Sequence, residues 1–222
     1  MNEIINKKNY ISIVQNSIKQ NFKIILALIF MIILFFAVTQ FYFFNKNNQI
    51  LQTSIKFNLA KTNNSSPDFK EIINQLSQEK NFYGILASLE KININFKEDD
   101  VLTANKVYIS LLNKSNISNI YKSAIAIHGS YNLINKINKN NEVEIVYLIN
   151  NLLSFVDTNL LSYEGFKHEI LYLLSVVKQD NSDDTLISDE TRNLYQQIQN
   201  NDKITPSIKE RVKKIHEFQK YK

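Results

Sequence analysis

The sequence contains no cysteine, only three glycines and only three histidines among its 222 residues. Without cysteine, the chain has no disulfide, no thiolate nucleophile and no sulfur-ligated metal site. Three glycines cannot build a glycine-rich phosphate-binding loop with its usual spacing. The H-E-x-x-H and G-x-S-x-G motifs of zinc peptidases and serine hydrolases are also missing. These absences predict a protein that is not an enzyme and that uses no cofactor.

The histidines and acidic pairs give no sign of a metal site. His128, His168 and His216 are far apart in the sequence and each lies in a predicted helix. We expect the first to pack beside the core and the other two to be half-exposed. The acids at 99–100 fit the first turn of a helix, whose dipole favours negative charge. Those at 183–184 lack the alternating ligands of a calcium loop.

One long hydrophobic run stands out. Residues 24–44 read IILALIFMIILFFAVTQFYFF, and Thr39 and Gln40 are their only strongly polar members. A helix of this length spans roughly 30 Å, which is the thickness of the hydrocarbon core of a bilayer. The run is longer than the hydrophobic part of a usual signal peptide, and no clean cleavage site follows it. We therefore predict an uncleaved transmembrane anchor, rather than a cleaved signal peptide or a buried helix of a soluble protein.

Positive charge is concentrated before this anchor. The four lysines there are Lys7, Lys8, Lys19 and Lys23, and Glu3 is the single acid. Because positively charged flanks stay in the cytoplasm, we expect residues 1–23 to be cytoplasmic and residues 45–222 to be periplasmic, in a bacterial inner membrane. The apolar residues of 1–23 have helical spacing, which predicts either an amphipathic helix on the lipid surface or a partly ordered tail.

The remainder of the chain is nearly balanced in charge. Of the formal net charge of +5, only +2 belongs to the residues after the anchor, which hold 22 of the 26 basic and 20 of the 21 acidic residues. Such a balance argues against a surface that binds the phosphates of nucleic acid. We expect membrane lipid and other proteins as partners, and no nucleic acid.

Residues 45–222 show the three- and four-residue apolar spacing of amphipathic helices, and no stretch alternates long enough to predict a strand. Helix starts are predicted at Ser66-Pro67, Asn81, Ser118 and Thr205-Pro206, where a capping side chain or a proline stands. About eight helices joined by short polar loops predict an all-α array of antiparallel hairpins, similar to tetratricopeptide repeats. A clean 34-residue repeat is missing, so the array is only tetratricopeptide-like.

One of these helices is predicted to lie in the interior. The helix starting near Asn81 has Phe82, Ile85, Leu86 and Leu89 on one face, with Gly84 and Ala87 among them. Because glycine costs a helix about 1 kcal/mol relative to alanine, we expect a neighbouring helix to approach closely there. The helix after Ser118 has Tyr121, Ala124, Ile125 and His128 among its apolar-face positions.

The last helix is the most strongly charged. It contains the basic residues Lys209, Arg211, Lys213 and Lys214. These residues are candidates for contact with acidic partners or lipid headgroups. The alternative interpretation is the solvated outer face of a capping helix.

The overall plan resembles a known family. A basic N-terminal segment, one signal anchor and a small helical repeat-like domain are similar to the ancillary Sec-translocon subunits, whose periplasmic domain is tetratricopeptide-like. The C-terminal pattern is similar too, with Asn193-Leu194-Tyr195 on one helix, a short loop, and the basic segment from Thr205 to Arg211. The Asn- and Lys-rich style also resembles rickettsial proteins of an uncharacterised family. The resemblance implies binding to translocon components or periplasmic chaperones, and it implies no catalytic residues.

Two functions follow as hypotheses. The first is a membrane-anchored, non-enzymatic scaffold whose helical domain binds other proteins outside the cytoplasm. The second is a structural envelope protein that associates with itself through the helix that follows the anchor, near residues 50–59.

Overall fold

The computed structural model describes residues 19–181, 187–219 and 221. These residues form nine α-helices and no strand, which confirms the all-α prediction. The predicted amphipathic segment up to residue 18 and the acidic pair at 183–184 lie outside the described residues. The helices are α1 (Phe22–Thr62), α2 (Phe69–Leu76), α3 (Phe82–Lys97), α4 (Val101–Leu112), α5 (Asn119–Ile134), α6 (Glu142–Leu153), α7 (Leu161–Asn181), α8 (Asp189–Asn200) and α9 (Pro206–Gln219).

The helix α1 contains the hydrophobic run and continues without a break for 41 residues. None of its most apolar stretch is buried inside the protein. Among the described helices it is the one that is long and apolar enough to cross a membrane. The chain divides into two compact units between Ile55 and Lys56.

The C-terminal unit consists of helices that pack mainly on their neighbours in the chain. Helix α3 packs on α2 and α4, and α5 packs on α4, α6 and α7. Helix α7 packs in turn on α8 and α9. Short connections between helices of similar length favour this order, because they leave each helix beside the one before it.

Several predicted helix starts are confirmed. Asn81 is the N-cap of α3, and its side-chain Oδ1 accepts a hydrogen bond of 3.1 Å from the backbone N–H of Gly84. Helix α9 begins at Pro206, directly after Thr205. Ser118 is the N-cap of α5, although its side chain makes no capping hydrogen bond. Local chemistry was sufficient to locate these ends.

The start predicted at Ser66-Pro67 is wrong. These residues form a turn, in which the Ser66 carbonyl accepts a hydrogen bond of 3.1 Å from the N–H of Phe69. Helix α2 begins at Phe69, with Asp68 in the N-cap position. Serine and proline favour turns as well as helix starts, so their presence could not separate the two.

The acids between α3 and α4 close one helix and open the next. Asp99 has a φ of 59°, and its N–H donates to the carbonyl of Phe96. The N–H of Asp100 donates to the carbonyl of Asn95 at 2.9 Å, which completes a Schellman motif at the end of α3. The Asp100 side chain then accepts a hydrogen bond of 3.0 Å from Thr103 and caps α4. The connection between the two helices is therefore very short.

The inner face of α3 agrees only in part with the predicted one: Gly84 and Ala87 are buried, and Ile85 and Leu89 pack partly buried on the core, but Phe82 does not face it. Its buried residues are Gly84, Ala87, Ser88 and Ile92, whereas Phe82 is 61% exposed. A Cβ atom added to Gly84 would clash with the backbone oxygen of Glu79. The predicted close approach at this glycine exists, but the neighbour is the turn before α3 and not another helix.

The largest core cluster includes Tyr108 of α4, which is fully buried. Gly129 of α5 lies against its ring. A Cβ atom added to Gly129 would be 3.1 Å from Cζ of Tyr108 and 2.8 Å from Cδ1 of Leu152. Since both contacts are tighter than ordinary packing allows, the absence of a side chain at 129 lets α5 rest on the tyrosine ring.

We predict that Gly129→Ala destabilises the domain by about 1–3 kcal/mol, because the added methyl group overpacks the core. This loss should exceed the gain of about 1 kcal/mol that alanine offers in a helix. The free energy of unfolding of each variant is measured by urea denaturation of the full chain in detergent, with circular dichroism as the signal.

The matched control is Gly165→Ala in α7. There the nearest atom to an added Cβ is the terminal Cδ1 of Ile208, at 3.0 Å, which can move aside. We expect a clearly smaller loss of stability for this variant. An unchanged or higher denaturation midpoint for Gly129→Ala would contradict the packing argument.

Candidate functional site

A groove lies between α3 and α5. Both helices pack on α4, but no Cα atoms of α3 and α5 come within 8 Å of each other. The apolar part of this α3–α5 groove has a volume of about 630 Å³. Its lining residues are Lys80, Asn81, Phe82, Ile85, Leu86, Leu89, Asn93, Asn116, Ile117, Tyr121, Ala124, Ile125 and His128.

The side chains that line the groove are buried at its base and exposed at its edges. Ile117 and Ile125 are 5% and 7% exposed and lie at its base. The side chains of α3 that follow, such as Leu89, are half-buried. Phe82 and Tyr121, at 61% and 66% exposed, stand at its edges. The result is an open, apolar channel with one aromatic ring on each side.

The same spacing on two helices produces this arrangement. Positions 82, 85, 86, 89 and 93 of α3 and positions 121, 124, 125, 128 and 132 of α5 each follow the i, i+3, i+4, i+7, i+11 pattern of one helix face. Sequence reasoning placed the apolar residues of α3 in the interior and so missed the groove. The available signal was that α3 is apolar around much of its circumference, with Ala87 opposite Phe82 and Leu89.

A polar section of about 450 Å³ continues the groove, and Asn93 lines both parts. Its lining residues are Lys61, Glu90, Asn93, Phe96, Lys97, Asn132, Asn135 and Lys136. Three lysines and one glutamate give this section a net positive charge. It lies beside the C-terminal end of α3, where the helix dipole also favours cations.

Some of these charges are already paired. Lys61 Nζ lies 2.9 Å from Glu90, and Lys136 forms an ion pair with Asp99. Among the described residues, the ammonium groups of Lys80 and Lys97 have no ion-pair or hydrogen-bond partner. One uncommitted lysine therefore lies near each end of α3.

Tyr108 connects the core to the groove through its hydroxyl group. The hydroxyl lies 2.9 Å from Nδ1 of His128 and accepts a hydrogen bond of 3.1 Å from Nδ2 of Asn132. Burial raises the pKa of Tyr108 to about 12, so the hydroxyl keeps its proton and can donate it to the histidine. Partial burial lowers the pKa of His128, which favours the neutral ring needed as acceptor. His128 thus lies beside the core, as predicted, through its contact with Tyr108, while part of its ring is exposed at the groove.

The other two histidines lie in separate environments. His168 is half-buried, as predicted, with Nε2 at 4.0 Å from Glu164. His216 is buried, contrary to the prediction, and stacks on Tyr195 with ring centroids 4.0 Å apart. In the described part of the chain, no group of three His, Asp or Glu side chains could hold a metal ion.

The four basic residues predicted as a contact surface all have partners within the chain. Lys209 Nζ donates to the Gln199 carbonyl at 2.9 Å, Lys214 pairs with Glu210 at 2.9 Å, and Lys213 pairs with Glu217 at 3.9 Å. Arg211 binds Glu169. The side chains of Lys213 and Lys214 remain largely exposed, so contact with acidic partners or lipid headgroups stays a prediction.

Arg211 belongs to a network that fixes α9 to the rest of the domain. Its guanidinium donates to both carboxylate oxygens of Glu169, at 2.8 and 2.6 Å, and lies 5.9 Å from the ring centroid of Phe166. Tyr131 of α5 donates its hydroxyl to the same carboxylate at 2.8 Å. Glu169 is only 3% exposed, so its charge depends on these partners. Burial and the neighbouring carboxylate raise the pKa of Tyr131.

We predict that Arg211→Met destabilises the domain by about 2 kcal/mol, because it leaves the Glu169 carboxylate buried with Tyr131 as its remaining partner. The expected loss of stability is smaller than for a fully buried ion pair, because half of the arginine side chain faces solvent. Urea denaturation measures the loss.

Two further variants test the cause. Lys213→Met removes an exposed ion pair on the same helix and should leave the denaturation midpoint unchanged. Adding Glu169→Gln to Arg211→Met should recover part of the stability, because it removes the unpaired charge. Equal effects of Arg211→Met and Lys213→Met would rule out a structural role for the network.

No protein-family model, curated protein or solved structure matches this chain. In its described residues, the protein is all-helical, with one candidate membrane-spanning helix near the N-terminus and a groove between two helices.

Proposed function

We propose that this is a membrane-anchored, non-enzymatic scaffold whose tetratricopeptide-like domain binds other proteins in the α3–α5 groove. The single observation that supports this function most directly is the apolar groove with exposed Phe82 and Tyr121 at its edges. A row of consecutive neighbour contacts from α2 to α9 supports the comparison with helical repeats, which use such surfaces for binding.

The energetics favour an occupied groove. Removing apolar surface from water is favourable by about 25 cal/mol for each Å². The burial of these side chains therefore stabilises the complex with a partner that covers them. Aromatic residues, tyrosine in particular, are enriched at protein interfaces. A protein segment could cover both aromatic rings and the isoleucines at the base at the same time.

The proposed location is the bacterial inner membrane, with one span, a cytoplasmic N-terminus and a periplasmic C-terminal domain. The exposed apolar surface of α1 and the lysines before it support this orientation. An anchor raises the local concentration of the domain near membrane complexes. The resemblance to ancillary translocon subunits makes translocon components, exported chains or periplasmic chaperones the proposed partners.

Site-specific photocrosslinking tests the proposal. With p-benzoylphenylalanine at Tyr121, we expect adducts in intact membranes with a translocon component, an exported chain or a chaperone, identified by mass spectrometry. The substitution Phe82→Asp should abolish these adducts by placing a charge at the groove edge. Its position in the first turn of α3 tolerates an acid, so the fold should persist.

Matched controls exist on α6. Tyr147 is 69% exposed and Val143 is 85% exposed, and neither lines the groove. Crosslinks from position 147 should be absent or different, and Val143→Asp should leave the adducts of position 121 unchanged. Adducts at 147 but not at 121, or adducts that survive Phe82→Asp, would refute binding in the groove.

A second candidate function is self-association as a structural envelope protein. Near its end, α1 buries Phe57 and Ala60 in a cluster with α2, while Leu51, Ile55 and Leu59 are exposed on a different face. The three exposed residues recur every four positions, which is the spacing of a helix–helix contact.

The absence of native cysteine allows a direct test of this second function. If copies associate through the exposed face, oxidised membranes should contain a disulfide-linked dimer of Ile55→Cys. Lys56→Cys, turned about 100° away around the helix, should give little dimer. If neither variant forms a dimer, self-association through this face is refuted and the binding scaffold remains the proposed function.

A further inference from the structure

The uncommitted charges of the α3–α5 groove indicate the chemistry of its occupant. Lys80 precedes α3 at the apolar section, and Lys97 is the last residue of α3 at the polar section. Neither ammonium group has a partner among the described residues. The one acidic side chain that lines either section, Glu90, already pairs with Lys61. The groove is thus apolar in the middle and positive towards both ends.

The length of α3 sets the distance between these charges. Lys80 lies two residues before α3, and the fifteen residue steps from Phe82 to Lys97 correspond to about 22 Å along the helix, which serves as the order of the separation between the two lysines. An extended polypeptide advances roughly 3.3–3.6 Å per residue, so about six or seven residues cover this distance. Two acidic side chains at that separation would reach both lysines, with apolar side chains between them.

The polar side chains favour an extended peptide over a helix or an acyl chain. Asn93 and Asn135 are exposed in the polar section, and neither carboxamide has a hydrogen-bond partner among the described residues. A carboxamide offers both a donor and an acceptor, which match the N–H and C=O groups of an extended backbone. A helix has used most of these groups internally, and an acyl chain has none.

We infer that the α3–α5 groove binds an extended peptide segment with apolar side chains in its centre and acidic residues about seven positions apart. This inference rests on the proposed function and adds the class of peptide that the groove recognises. The apolar centre contributes affinity through burial, and the acidic residues select the segment by charge.

Fluorescence anisotropy with the full chain in detergent tests the inference at low salt. One labelled peptide has an apolar centre and aspartates seven positions apart. A second has lysines in place of the aspartates, and a third has the aspartates three positions apart. We expect the first to bind about tenfold more tightly than the second, with a difference that shrinks as salt is added. The third should bind several-fold more weakly than the first.

Charge reversal at one lysine provides the structural control. Lys97→Glu should weaken binding of the first peptide by about fivefold and strengthen binding of the lysine peptide. Lys106→Glu makes the same change in charge on α4, at an exposed position outside the groove lining, and should alter neither affinity. Equal effects of the two variants would mean that overall charge, and not the groove, controls binding.

The remaining outcomes separate this inference from the proposed function. If no peptide binds but Phe82-dependent crosslinks form at position 121, the inference is wrong and the scaffold function stands. If peptides and crosslinks both fail, both proposals are wrong. Equal or tighter binding of the lysine peptide, or binding of dodecanoate that depends on Lys97 while the peptides fail, also overturns the inference.

Discussion

The contact between Tyr108 and Gly129 is the constraint on which the groove depends. Because position 129 has no side chain, α5 lies directly on the ring of a fully buried tyrosine in α4. Helix α4 also packs on α3, so it supports both sides of the groove. The hydroxyl of the same tyrosine reaches the groove edge and holds His128 and Asn132. One side chain thereby links core packing to the shape of the proposed binding surface.

The charges of the domain divide into those used for the fold and those left for a partner. On α9, Arg211 stabilises a buried glutamate, and the lysines beside it have intramolecular contacts. At the groove, Lys80 and Lys97 are both exposed, and their ammonium groups have no intramolecular partner among the described residues. A near-neutral domain can therefore present a locally positive surface, and net charge alone does not reveal it.

The features that sequence could predict are those determined by neighbouring residues. The apolar run of α1, the cap at Asn81 and the start at Pro206 each depend on a few adjacent side chains. The groove could not be predicted, because α3 is apolar on two faces and only tertiary packing selects the one with Gly84 and Ala87 as the inner face. Tertiary packing buries these small residues and leaves Phe82 at the edge of the groove.

The role of Arg211 could not be predicted from the sequence for a different reason. Its partner Glu169 lies 42 residues earlier in the chain, and no local pattern connects the two. Sequence reasoning therefore placed the arginine in an exposed contact surface. Only the path of the chain through α7, α8 and α9 brings the guanidinium to the buried carboxylate.

The short connection at Asp99 and Asp100 has a consequence for how the groove can adapt. Asp99 closes α3 with a left-handed residue and Asp100 immediately caps α4, so the angle between these helices is tightly fixed. The connection from α4 to α5, residues 113–118, is longer. Adaptation of the groove to a bulkier occupant is therefore limited on the α3 side by this connection and on the α5 side by the close packing of Gly129 on Tyr108.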